Sequence, residues 1–176
     1  SGHVRTMSRH FKRLEDLTKI DESHVALAQM TGRVLDLERL YRAVASIELS
    51  EEVPEDVRGQ FNVARNMALY TYFFYDLAPE AQLKTFTVIE LALRLGANNP
   101  KVKMLRALLK LAVSEGWIRD AGFRHIENPL PENPYSRSLI DTLPQLRNES
   151  AHGSTNLTPG TVWYLKRCAD FVNQLF

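Results

Sequence analysis

The chain has 176 residues, long enough to bury one sizeable core and short enough that a single domain is the expectation. Its 22 lysines and arginines stand against 21 acidic residues. A field that weak gives no argument for DNA wrapping or adhesion to an anionic membrane surface, so any polyanion must be met locally.

Eight glycines, eight prolines and long stretches of apolar residues at spacings of three and four predict helices throughout. No segment alternates with period two. The first helical region covers about Ser8 to Leu49, with breaks expected near Asp21-Glu22-Ser23 or Thr31-Gly32. In its second half Val34, Leu37, Tyr41, Val44 and Glu48 follow one stripe, with Leu40 beside it. "SEEVPEDV" is a connector in which Ser50 and Pro54 act as helix-start signals. The next helix, about Pro54 to Leu77, contains "MALYTYFFYDL"; being apolar on nearly all sides, it is expected at the centre of a bundle. Pro79 ends it and opens an antiparallel partner to about Leu95, closed by Gly96.

Lys101 to Glu115 reads as a helix with Leu105, Leu108, Leu109 and Ala112 inward and Lys103, Arg106 and Lys110 on a solvated face. Gly116 to Pro134 reads as a long irregular connection that holds His125. Helical spacing returns from Tyr135 to about Ser150 through Leu139, Leu143 and Leu146, with a kink or restart expected at Pro144 and a stop at Gly153. Thr158 then caps a last helix that starts at Pro159 and presents Val162, Leu165, Ala169, Val172 and Phe176 on one face. The only cysteine, Cys168, falls in that helix; it excludes an internal disulfide and reads as a small core residue in a reducing compartment. With no run near the ~20 apolar residues of a bilayer span and no secretory signal, a cytoplasmic protein without membrane contact is expected. The fold class is all-α, an antiparallel helical bundle.

One segment carries chemistry: "LPQLRNESAHGS", Leu143 to Ser154, where Arg147 and Asn148 precede His152 at a helix end. Spacing alone decides little. Fifteen arginines and five histidines yield about one chance Arg-x(4–6)-His pair, and Arg5 with His10 and Arg119 with His125 satisfy the same pattern incidentally. What separates Arg147 and His152 is context: an apolar helical approach, a stop, and a second helix at once. An imidazole with a pKa near 6.5 can take a proton from a ribose 2′-hydroxyl or give one to a leaving oxygen. A guanidinium stays cationic and offers a planar fork to charge that builds on phosphate oxygens, and the amide of Asn148 could orient either group. No histidine, cysteine and carboxylate cluster has metal-ligand spacing, so neither metal nor cofactor is expected. The alternative reading is that Arg147 and His152 complement the carbonyl end of a helix dipole.

"RNESAH" resembles the motif of the HEPN superfamily, the higher-eukaryote and prokaryote nucleotide-binding domains: arginine, often followed by asparagine, with histidine after four to six intervening residues. "ARNMALYTYFFYDLAPEAQLKTFTVIELALRLG" is similar to the paired core helices of some bacterial members. The likeness spans roughly Asp56 to Phe176, which divides the chain into an N-terminal helical extension, residues 1–50, and a HEPN-like bundle, residues 51–176, packed as one unit. It implies a metal-independent ribonuclease of a defence or toxin–antitoxin type, with an antitoxin partner, or a non-catalytic module that binds nucleotide, RNA or protein. It also implies a homodimer with two motifs facing one cleft. Residues five apart on a regular helix point about 140° apart, so a loosened backbone or a second copy must unite Arg147 with His152.

Three further side chains are candidates for contact with substrate. Glu90 and Arg94, four apart on "QLKTFTVIELALRLG", can pair with each other, or Glu90 can anchor Arg147 or His152, as polar residues on the corresponding helix do in relatives. Arg65, beside Asn66 in an apolar helix, needs a partner or a cleft, and a structural hydrogen bond is the plainer role. Tyr70, Tyr72, Phe73, Phe74 and Tyr75 sit at helical spacing and are assigned to the core rather than to base stacking. The sequence does not reveal what His10 or His24 would contact, and His125 reads as a surface residue.

Overall fold

The computed structural model describes residues 10–99, 101–151 and 160–176. Among them seven α-helices and three short 3-10 turns occur, and no strand. The helices are α1 (Glu22–Thr31), α2 (Leu37–Ala45), α3 (Glu55–Tyr70), α4 (Ala78–Ala97), α5 (Leu105–Ser114), α6 (Pro134–Ala151) and α7 (Thr161–Val172). No helix of the described residues is long and apolar enough to cross a membrane.

The first helical region is interrupted at both expected points. Asp21 caps α1 by accepting from the Ser23 N–H, and Gly32, at φ +68°, closes it with an N–H to the Ala28 carbonyl. Only glycine takes that left-handed conformation without cost. Asp36 caps α2 in the same way through the Glu38 N–H. α2 belongs to the core: Val44 and, just past its end, Ile47 are fully buried with Val57, Phe61, Leu165 and Phe171.

α3 ends at Tyr70, seven residues short of the expected end, and the long aromatic run folds into a turn instead. Tertiary hydrogen bonds to α1 compete with the helix there. The Asp21 N–H donates to the Tyr72 carbonyl, the Asp21 carboxylate accepts from the Tyr75 N–H, and buried His24 bonds the Thr71 carbonyl through Nε2 at 2.7 Å. Since a carbonyl only accepts, His24 carries its proton on Nε2. Tyr70 is 60% exposed and Phe74 is exposed as well, so part of the aromatic run assigned to the core lies at the surface.

The central helix is therefore α4, not α3. It buries Ala81, Thr85, Phe86, Val88, Ile89, Ala92 and Leu93 and packs against α3, α5, α6 and α7. Pro79 lies in its first turn, as the sequence indicates, while Asn98 rather than Gly96 makes the left-handed cap at φ +44°. The α4–α7 pair departs from an antiparallel bundle. Phe86 meets Tyr164, Cys168 Sγ lies 3.6 Å from the Thr85 carbonyl, and Leu175 packs over Gly96, so the two chains advance together. The stretch that intervenes contains α5 and α6, long enough to bring the chain back to the same end.

α6 continues through Pro144 without a restart and reaches Ala151. Its first turn is held from outside. Asp120, 1% exposed, accepts from the N–H and hydroxyl of Ser136, each at 2.7 Å, and from the Tyr135 N–H at 3.1 Å. This carboxylate satisfies amide donors that a helix leaves open and complements the positive end of its dipole. The irregular connection before α6 is thus an anchored structure.

Candidate functional site

The backbone of α6 brings Arg147 to the surface of α4. Leu139 and Leu143 bury the inward face of α6, and Arg147, four residues beyond Leu143, falls on the same side. On α4, Glu90 follows Phe86 by four residues and its side chain is only 12% exposed. The Glu90 carboxylate lies between two guanidinium groups. Oε1 accepts from Arg94 Nη2 at 2.6 Å, and Oε2 lies 3.5 Å from Arg147 Nη2. Arg147 Nη1 donates to the amide oxygen of Asn148 at 3.2 Å.

Arg94, Glu90, Arg147 and Asn148 therefore form one chain of polar contacts, with two positive charges on a single carboxylate. The excess of one positive charge sits where solvent reaches it, since Arg94 and Arg147 side chains are 53% and 39% exposed. The fork of Arg147 is fixed on one edge and retains donors for an anion on the other. Glu90 thus does both things that its position allowed, pairing with Arg94 and reaching Arg147.

His152 lies outside the described residues, as do Gly153, Thr158 and Pro159. The described part of the motif shows that α6 stays helical from Arg147 through Ala151, so no loosening occurs within that interval. The helix α7 is capped at Gly160, with φ +114°. Arg65 stands elsewhere: Nη2 donates to the Ala45 carbonyl at the end of α2 and Nη1 to Asn62, each at 3.0 Å. It ties α3 to α2, the structural role that its place in an apolar helix suggested.

The remaining charged groups have plain roles. On α5 the basic stripe faces solvent, with Arg106 paired to Asp141 of α6 at 2.7 Å. Cys168 is fully buried, and burial pushes its thiol well above the usual cysteine range. No group of three or more histidine, cysteine and carboxylate side chains among the described residues could hold a metal ion.

Sequence reasoning passed over the residues that organise the other end of α6 and α7. Asp170 accepts from the backbone N–H and Nε of Arg124 at 3.0 and 2.8 Å. Exposed His125, next to Arg124, meets Tyr135 and Trp163 edge-on, and Arg167 lies against the faces of both rings. The only signal was compositional: histidine and arginine adjacent in a connection bounded by aromatic helix starts. Comparison of the chain with family models, with curated proteins and with solved structures gives no match.

Proposed function

We propose that the chain is a HEPN-like, metal-independent endoribonuclease in which Arg147 binds the scissile phosphate and His152 transfers protons, within a defence or toxin–antitoxin system. The observation that carries this reading is the contact of Arg147 with Glu90. A nearly buried carboxylate on the central helix holds one edge of the motif arginine and leaves the rest of its fork facing solvent. An arginine kept only as a helix-dipole cap has no need of such an anchor. The cleavage step is internal transesterification. A His152 imidazole takes the proton of a ribose 2′-hydroxyl, that oxygen attacks phosphorus, and the bond to the 5′-oxygen breaks as it gains a proton, giving a 2′,3′-cyclic phosphate and a 5′-hydroxyl end. Arg147 meets the charge that grows on the non-bridging oxygens, and Asn148 steadies the fork. A symmetric homodimer would supply two imidazoles to one cleft, one as base and one as acid.

The decisive experiment incubates the protein with single-stranded and structured RNA in the presence of a chelator, beside Arg147→Ala and His152→Ala variants of unchanged circular dichroism. Cleavage to cyclic-phosphate ends by the parent, lost in both variants, is the expected result. Absence of cleavage with any RNA overturns the nuclease reading. The second reading is a binding module of the same fold for RNA, nucleotide or a protein partner such as an antitoxin. It is favoured by the net charge of +1, low for an enzyme that grips a polyanion along its length. Sedimentation that shows only monomer removes the shared-cleft geometry from both readings.

A further inference from the structure

Arg167 on α7 holds a cation without a counter-charge. Its guanidinium carbon lies 3.9 Å from the centroid of the Trp163 ring and 5.3 Å from that of Tyr135, so it sits between two aromatic side chains. No carboxylate of the described residues comes within ion-pair distance of it. Asp170, one turn further along the same helix, is taken by Arg124. Asp120, the other carboxylate of this region, is occupied by the first turn of α6.

The polar atoms of the cluster are matched only to one another. Arg167 Nε and the Tyr135 hydroxyl are both buried, and beyond the contact between these two side chains neither has a hydrogen-bond partner among the described residues. Burial pushes the Tyr135 phenol up to about 12, so at neutral pH it keeps its proton and can donate. The phenol oxygen can accept from the guanidinium, but the phenol's own proton and the positive charge of Arg167 meet no acceptor and no anion among the described residues. Buried donors are almost always satisfied, and a partly buried charge is costly unless paired. The walls are ring surfaces: Trp163 is 41% exposed, and exposed His125 stands 4.9 Å from Tyr135 and 6.3 Å from Trp163, centroid to centroid. The missing piece is an acceptor with negative charge, attached to something flat and apolar enough to lie against an indole.

We propose that Arg167, Tyr135, Trp163 and His125 form a pocket for an oxyanion carried on a planar ring, with the anion accepting from Arg167 and the Tyr135 hydroxyl and the ring stacked at Trp163. An aromatic carboxylate and a nucleoside monophosphate share this chemistry. The pocket uses none of the side chains at Glu90 and Arg147, so it stands or falls independently of the nuclease reading.

The test titrates the whole chain with benzoate, uridine monophosphate and inorganic phosphate, with benzyl alcohol and uridine as uncharged counterparts. Two signals are followed: the Arg167 side-chain Nε–H resonance, assigned by its absence in Arg167→Lys, and indole emission in a Trp117→Phe background, which leaves Trp163 alone. Saturable shifts with at least one ring-bearing anion are expected, and which of them saturates tells carboxylate from phosphate. Inorganic phosphate and the uncharged rings should bind at least about tenfold more weakly. Tyr135→Phe, nearly isosteric, should weaken binding about tenfold through the loss of one charge-assisted hydrogen bond. The proposal is overturned if neither ring-bearing anion saturates up to about 10 mM, a limit of roughly −3 kcal/mol. Equal affinity in folded Tyr135→Phe and Arg167→Gln variants overturns it too, and leaves the cluster as a self-contained stack.

Discussion

Glu90 Oε2 lies 3.5 Å from Nη2 of Arg147, and Oε1 of the same carboxylate accepts from Arg94. One side chain on the central helix thus fixes the orientation of the motif arginine on another. If cleavage depends on where that fork points, Glu90→Gln keeps the size and loses the charge, and RNA cleavage should fall about 10- to 100-fold, since misplacement of about 1 Å can cost that much. Stability should change by less than about 1 kcal/mol, because both arginines reach solvent when released. Urea unfolding measured beside initial cleavage rates separates the two effects. A loss of activity matched by a loss of fold would remove Glu90 from the site.

Asp120 is the more consequential carboxylate for folding. It is buried and accepts three hydrogen bonds from the start of α6. Asp120→Ala leaves those donors unsatisfied and should destabilise by about 2–4 kcal/mol. The urea midpoint reads this directly, and a shift under about 0.5 kcal/mol would mean that the cap contributes nothing.

Gly122 stands where the connection meets the end of α7. A Cβ placed there would come within 2.0–2.5 Å of the side-chain amide of Gln174. That amide cannot swing away freely, since it accepts from the Arg119 N–H and donates to the Asp170 carbonyl. Gly122→Ala should therefore cost about 1–3 kcal/mol through two broken hydrogen bonds. Adding Gln174→Ala should recover part of the loss in a double-mutant cycle.

Tyr135 sets an alkaline limit. Its phenol is raised from an ordinary value of 10.0 to about 12 by burial, so the unfolded chain gives up this proton first. The contribution is complete below pH 10 and is lost as the pH rises towards 12. Across that window the parent should lose more stability than Tyr135→Phe, measured by thermal unfolding of both. Parallel curves would show that the phenol ionises as freely in the fold as outside it.

The element pattern is legible in the sequence because burial of one helical face is a local, periodic demand. α4, α5 and α6 appear within a few residues of their expected ends, since Phe86, Ile89, Leu93, Leu105, Leu109, Leu139 and Leu143 repeat at the helical period and Pro79 marks a first turn. The failure at α3 has a non-local cause: "YTYFFYDL" has the apolarity of a helix, but Asp21 and His24 claim its backbone from about fifty residues away in sequence. No window of sequence contains both partners.

The same division holds for the candidate site. By itself the sequence determined which groups are present: a cationic fork at Arg147 followed by Asn148, at the end of an amphipathic helix, and an acid–base pair at Glu90 and Arg94 one turn apart on another. Only the tertiary structure decided their pairing, because Glu90 could satisfy Arg94 alone or reach across to α6, and both contacts have similar energies in isolation. The packing of α6 against α4 and α5, with Leu139 and Leu143 buried in the shared core, settles it by setting how α6 lies and bringing Arg147 to the Glu90 carboxylate.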